Sequence, residues 1–241
     1  QLTRLQSEHP DHYAELRATA DLFPSAMQES ELGEIPAGWK LGTLSDLAGL
    51  NENSWSKRTI PPEIEYVDLA NTKNGTIEST AIYASEDAPS RARRKLSDGD
   101  TIVGTVRPGN RSFAFISQPP ENLAASTGFA VLSPKRNYLS EFVYIAATSD
   151  ASISHLAHLA DGGAYPAVRP EVVSGMKTVI PSDPALNQFH RMVASCFEYS
   201  ADLKMESLVL AQIRDTLLPK LLSGEMTMPE IESTATEAEN A

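Results

Sequence analysis

Between Pro184 and Gly224 an apolar residue recurs at every seventh position, at Phe189, Cys196, Leu203, Leu210 and Leu217, and Leu186, Val193 and Leu221 occupy a neighbouring heptad row. A sustained repeat of seven calls for an α-helix that lays one narrow seam on another surface, because a strand would alternate every two residues. Asp183 and Pro184 suit a helix start as N-cap and first helical residue, Pro219 disrupts the helix and Gly224 ends it. The element is about 35 residues long, or about 50 Å at 1.5 Å per residue. Ser200, Ser207 and Arg214 interrupt the second row. Periodicity alone therefore leaves two partners open, another long helix or the chain's own domain.

With 241 residues, 41% hydrophobic and 22% charged, the chain can bury one good core and still carry such an extension. The pattern predicts a short helix over 10–22 that stops at Pro24, then a Gly/Pro connector over 30–38. WKLGTLSDLA follows as a strand start with a helical turn capped at Ser45. Strands are expected at 64–70, 76–83, 100–106, 113–117 and 128–132, helices near 142–148 and 153–159, and a last strand at 176–180. The fold class read from this is α+β: a mixed, mostly antiparallel β domain with flanking helices, plus a long C-terminal helix of coiled-coil type. Its divisions are a helix and linker at 1–34, the β domain at 35–182, the long helix at 183–224, and an acidic tail at 225–241 expected to be disordered.

One cysteine excludes an internal disulfide framework, and there is neither a signal peptide nor an apolar run of the ~20 residues a bilayer needs. The expected location is cytoplasmic, with no membrane partner. A first residue of Gln rather than Met suits a trimmed chain or a piece of a longer one. The net charge of −12 sits mostly at the ends: residues 1–40 hold seven acids and three bases, and residues 225–241 hold five acids and no base. In between, Arg91, Arg93, Arg94, Lys95, Arg107 and Arg111 face only Asp98 and Asp100. This local excess suits a phosphate-facing patch, and the bland alternative is a solvated basic loop.

Catalytic patterns are missing. The sequence has no GxGxxG after a strand, no GxxxxGKS/T loop and no GxSxG elbow. His155 and His158 share a helix face but lack the further ligands of a metal set, and Cys196 reads as a small hydrophobe on the seam.

Five stretches in order, ELGEIPAGWKLGTLSDLA (Glu31–Ala48), GDTIVGTVRPGNRSFAFI (Gly99–Ile116), STGFAVLSPK (Ser126–Lys135), GGAYPAVRPEVVSGMKTVIP (Gly162–Pro181) and IRDTLLPKLLSGE (Ile213–Glu225), resemble the specificity subunit of type I restriction-modification systems. Upstream, AELRATADLFPSAMQESELG resembles the link into such a subunit's second recognition domain. A full subunit carries two target recognition domains and two long helices, whereas this chain has one of each, so it resembles a half subunit or the C-terminal half of a full one. The resemblance implies a non-catalytic reader of one half of a split site on double-stranded DNA. It also implies that the long helix pairs antiparallel with another such helix and sets the half-site spacing. Methyltransferase subunits carrying S-adenosylmethionine would dock around the helices and flip an adenine for N6 methylation, and a motor and nuclease subunit would join for restriction. This chain would bind no cofactor itself, and it lacks the Asn-Pro-Pro-Tyr type motif of amino-methyltransferases.

Phosphates call for Arg, Lys and small donors, and base edges for bidentate or amide groups on well-held loops. Arg91, Arg93, Arg94 and Lys95 are the candidates for phosphates; Arg107, Asn110 and Arg111 in RPGNRS, with Tyr165 and Arg169 in GGAYPAVRP, are the candidates for bases or groove walls. Ser126 and Thr127 suit either role, and Lys57 and Arg58 beside Trp55 are further candidates. Tyr165 and Arg169 have the alternative task of bracing their own loop. The seam residues Leu186, Phe189, Val193, Cys196, Leu203, Leu210, Leu217 and Leu221 are expected to meet a second copy or the other half of a full subunit. Two competing classes stay open: a coiled-coil scaffold that binds no DNA, and an enzyme using the GGAYP loop as a pocket.

Overall fold

The computed structural model describes residues 6–56, 58–160 and 166–226. In chain order its elements are α1 (Pro10–Ala20), β1 (Met27–Gln28), β2 (Ile35–Pro36), β3 (Lys40–Thr43), α2 (Leu44–Leu47), β4 (Ala48–Leu50), β5 (Glu63–Val67), β6 (Thr72–Lys73), β7 (Thr76–Ile77), β8 (Ala81–Ala84), β9 (Ala92–Lys95), β10 (Thr101–Gly104), β11 (Phe113–Phe115), β12 (Leu123–Ser126), β13 (Phe129–Pro134), α3 (Ser140–Thr148), α4 (Asp150–Leu159), α5 (Pro170–Ser174), β14 (Lys177–Ile180) and α6 (Asp183–Leu222). Short 3-10 turns lie at Pro108–Asn110 and Asn137–Leu139. The chain forms two compact units, Gln1–Ala194 and Ser195–Ala241.

Strict alternation in the central strands sets the layers of the first unit. Strands β11, β10, β13 and β4 form one antiparallel sheet in that order, in which Ile102 pairs with Ala114 and Val131, and Val103 pairs with Phe113 and Ala130. Paired residues share a face. Val103, Phe113, Ala130 and Leu132 therefore bury against the helical layer of Leu44, Leu47, Val143, Ile153, Leu156 and Val173. Ile102, Ala114, Phe129 and Val131 bury the other way, against Val67, Leu96, Leu123 and Ala125. Those last four belong to or follow a second sheet, ordered β8, β5, β12 and β9, in which β5 and β12 run parallel and the other pairs antiparallel. Burying each large apolar side chain contributes about 1.5–3 kcal/mol, so the sheet buried on both faces is the natural centre of the unit. The outer face of the second sheet holds a smaller cluster of Ile64, Tyr66, Ala92 and Ala124 under Trp55 and Tyr83.

The observed class is the expected one, mixed α and β with largely antiparallel sheets and a long C-terminal helix. Details differ. The helical turn after β3 is capped by Thr43 rather than Ser45, and the Thr43 backbone N–H donates to Asp46 Oδ2 at 2.7 Å. The segment expected as one strand over 76–83 is an arm of the β6–β7 hairpin followed by β8. Among the four-residue strands, β12, LAAS, which is buried on both faces, and β9, ARRK, the heart of the basic run, are not expected from the sequence; neither are the shorter β1, β2, β4 and β6. Pro219 lies inside α6, and the helix continues to Leu222.

The start of α6 is fastened to the first unit. Ala185 and Leu186 are buried, Leu186 to 2% exposure among the residues under the first sheet, and Phe189 meets Phe142 edge-on with ring centroids 6.2 Å apart. His190 Nδ1 lies 2.7 Å from Oε2 of buried Glu141, and Arg136 pairs with Asp183 at 2.9 Å. In the second unit Leu203 is 46% and Leu210 58% exposed, and Cys196 is exposed as well. Of the two partners left open by the periodicity, the chain's own domain takes the first turns of α6, and Leu203 and Leu210 further along stay exposed.

Candidate nucleic-acid interface

The basic run at 91–95 is a strand on the edge of the second sheet. Charged edge strands commonly serve to discourage pairing with another sheet. Here the edge is already covered, since Trp55 N–H donates to Arg93 O at 2.8 Å, Lys95 N–H donates to Asn53 O at 3.2 Å, and Ser54 bridges to Arg94. The cations need another explanation. An irregularity between Ala125 and Ser126 leaves Arg93 as the extra residue of a bulge, which re-aims the side chains around it. Lys95 Nζ lies 5.0 Å over the Trp55 ring, and Arg93 Nε donates to Ser90 O at 3.1 Å. Arg94 is half-buried: its Nη1 reaches Ser54 Oγ at 3.4 Å, while its buried Nε has no hydrogen-bond partner among the described residues. Burial lowers the Arg94 pKa from its ordinary value, and the carboxylate of Glu171 opposes that. A partly desolvated guanidinium with an unmatched donor gains from an arriving anion.

Hydrogen bonds tie this strand to the other candidates. Arg91 O accepts from Thr127 N–H at 2.9 Å; Gly128 O accepts from the Thr105 N–H at 2.9 Å and the Thr105 hydroxyl at 2.8 Å. Thr105 O accepts from Val168 N–H at 2.9 Å, and Pro166 O from Arg107 N–H at 2.8 Å. Segments far apart in sequence therefore meet in one strip bearing exposed Arg91, Thr127, Arg107 and Arg169. Arg58 is exposed on the segment after Trp55. Lys57 and Tyr165 lie outside the described residues, as do residues 227–241 of the acidic tail.

Two candidates are corrected by their surroundings. Ser126 is buried at 2% exposure, and its hydroxyl accepts from Gly128 N–H at 3.2 Å, so it shapes the β12–β13 turn rather than facing a ligand. Arg111 is committed internally: Nε donates to Asn74 Oδ1 at 2.7 Å, Nη1 pairs with Asp150 Oδ1 at 2.8 Å, and the guanidinium lies 5.3 Å from the Phe113 ring centroid. Asp100, counted among the acids near the basic run, is buried under the turn, where Oδ2 accepts from Ser97 N–H at 2.8 Å. Burial raises its pKa to about 6, against the hydrogen bonds from Ser133 and Ser97.

The RPGNR turn is strained. Arg107 (φ 47°) and Arg111 (φ 61°) both take the left-handed conformation on either side of Pro108–Asn110. Such backbone costs roughly 1–2 kcal/mol for a side-chain-bearing residue and persists only where its surroundings dictate it. Asn110 is exposed at the tip.

On the second unit, Tyr199, Glu206 and Ile213 fill the spaces between Cys196, Leu203, Leu210 and Leu217 at alternating steps of three and four. This row has the three-four spacing that a coiled-coil seam would need and carries one acid, whereas the row of Leu186 and Val193 read from the sequence turns toward the chain's own domain at Leu186.

No family model matches the chain. It is 25% identical over 238 residues to the type I restriction enzyme HindI specificity subunit of Haemophilus influenzae, an alignment covering 94% of this chain and 51% of that protein. It is 26% identical over 203 residues to the type I restriction enzyme MjaIX specificity subunit of Methanocaldococcus jannaschii, covering 82% and 46%. The chain spans about half the length of the curated relatives it matches. The fold matches, with TM-score 0.58 and 25% identity, a chain from a structural study of complex assembly and conformational transition of the type I R-M system, covering 81% of this chain and 51% of that one. It also matches the crystal structure of the HsdS subunit from Thermoanaerobacter tengcongensis, with TM-score 0.59 at 23% identity, covering 79% and 49%.

Proposed function

We propose that this chain, similar along its length to one half of type I specificity subunits, recognises one half of a bipartite site on double-stranded DNA and contributes no catalytic group of its own. The observation that carries this reading is the strip formed by β9, Thr127, the Thr105–Arg107 segment and Arg169, in which cations from distant parts of an acidic chain converge. Arg91, Arg93, Arg94, Lys95 and Arg169 engage phosphates, and the RPGNR turn faces the bases. Methyltransferase subunits supply S-adenosylmethionine and the methylation chemistry, and a motor subunit supplies cleavage; both assemble around α6.

The exposed seam of the second unit pairs antiparallel with a second copy or with the other half of a longer subunit. In a two-fold pair, Cys196, Tyr199 and Leu203 can lie opposite Ile213, Leu210 and Glu206 of the partner helix, a register that matches the seam to itself. Two copies so arranged read an interrupted palindrome. The test is duplex binding across a salt series by fluorescence anisotropy. Affinity falling with a log–log slope of about −0.9 per phosphate neutralised is expected, and absent or salt-independent binding contradicts the reading.

A further inference from the structure

Of the five described non-glycine residues with left-handed backbone, three gather at one point: Asn74, Arg107 and Arg111. Asn74 and Gly75 form the tip of the β6–β7 hairpin, and that tip is fixed to the RPGNR turn. Asn74 N–H donates to Arg111 O and Gly75 N–H to Phe113 O, both at 2.9 Å, and the Arg111 side chain returns to Asn74 Oδ1 at 2.7 Å. The same guanidinium reaches across to Asp150 at the start of α4. Gly75, at φ 82°, is pressed so closely on Tyr144 that a Cβ there would come within 2.6 Å of the phenol oxygen. One arginine therefore joins a hairpin, a turn and a helix. The exposed polar side chains on the two tips include Lys73 on one and Asn110 on the other. The hairpin also adjoins the basic strip: Ser112 hydroxyl donates to Leu69 O at 3.0 Å, and Leu69 packs on Gly104 and Gly128.

Base readout needs donors held to a fraction of an ångström, because a bidentate amide on adenine or an ammonium on guanine discriminates only in the right place. We propose that Arg111 is a positioning residue that locks the β6–β7 and RPGNR tips into one rigid probe, and that Lys73 and Asn110 on those tips determine the base preference of the half-site. This rests on the DNA-reading function proposed above. It moves Arg111 from reader to support and adds Lys73, whose segment carries no basic cluster that would have marked it in the sequence.

The experiment is selection of the full chain on duplexes with a randomised core, sequencing the bound fraction for wild type and variants while monitoring each fold by thermal unfolding. Lys73→Ala and Asn110→Ala should each lose about tenfold or more of the preference at its own base pair, a larger loss than at the other positions of the motif. Arg111→Lys, which keeps the charge and loses the fork, should blur both positions together. Asp150→Asn, an exposed change that weakens the same clamp from the helix side, should blur them partly and keeps the test decisive if the Arg111 variant fails to fold. A motif unchanged in Lys73→Ala, or unchanged in the clamp variants despite a lowered melting temperature, overturns the inference. A wild-type chain that binds duplex but enriches no motif overturns sequence-specific reading itself, and one that binds no duplex overturns the proposed function.

Discussion

The division of labour along α6 yields a sharp contrast between two leucines on one helix. Leu186 is 2% exposed among Leu44, Val143 and Val173, whereas Leu210 is 58% exposed. Truncating a buried leucine removes its transfer free energy and leaves a cavity, so Leu186→Ala should cost about 2–5 kcal/mol of unfolding free energy. Leu210→Ala should change it by no more than about 0.5 kcal/mol in the isolated chain, as for an ordinary surface substitution. Association should reverse the order. Leu210 and its symmetry mate each contribute about 1.5–3 kcal/mol if buried between copies, so losing both weakens a dimer by about a hundredfold or more. Urea unfolding at low protein concentration measures the first quantity, and sedimentation across concentration measures the second. Equal destabilisation by the two variants would refute the argument and return the whole seam to packing on the chain's own domain.

Asp100→Asn should stabilise the protein at pH 8 and have little effect near pH 4. A folded pKa raised to about 6 means that the native state holds its proton more tightly than the unfolded chain. Stability from the protonated group is complete below the unfolded value of about 3.9 and is lost as pH rises through 6, a difference of about 3 kcal/mol at most. Parallel thermal-unfolding curves for the two proteins from pH 4 to 8 would contradict this. Arg93→Ala with Arg94→Ala should flatten the salt dependence of duplex binding, and an unchanged slope in a folded variant would remove β9 from the DNA surface.

What could be read from the sequence followed the strength of the local pattern. The long helix and the central strands are legible because their large apolar residues repeat over many turns or form continuous runs bounded by Gly and Pro, as in Phe129–Leu132. β12 escapes because Leu-Ala-Ala-Ser holds no β-branched or aromatic residue to mark a strand, and its parallel partner β5 lies far back in the chain. β9 escaped because arginines give no apolar signal. The spacing marks the basic residues as a group, but their individual surroundings depend on distant neighbours: Arg111 meets Asn74 and Asp150, and Ser126 turns inward, neither of which spacing can show. Leu186 is hard to place for a related reason. It belongs to the heptad series by number and to the domain core by contact.

The central claim is that this chain distinguishes one DNA sequence from another, and the ratio of two dissociation constants tests it most directly. A duplex recovered by selection is compared with a scrambled duplex of the same composition at about 0.15 M salt. Tighter binding of the selected duplex by about a thousandfold or more is the expected result. Equal affinities, with both complexes dissolving alike as salt rises, would leave only phosphate attraction and would contradict the claim.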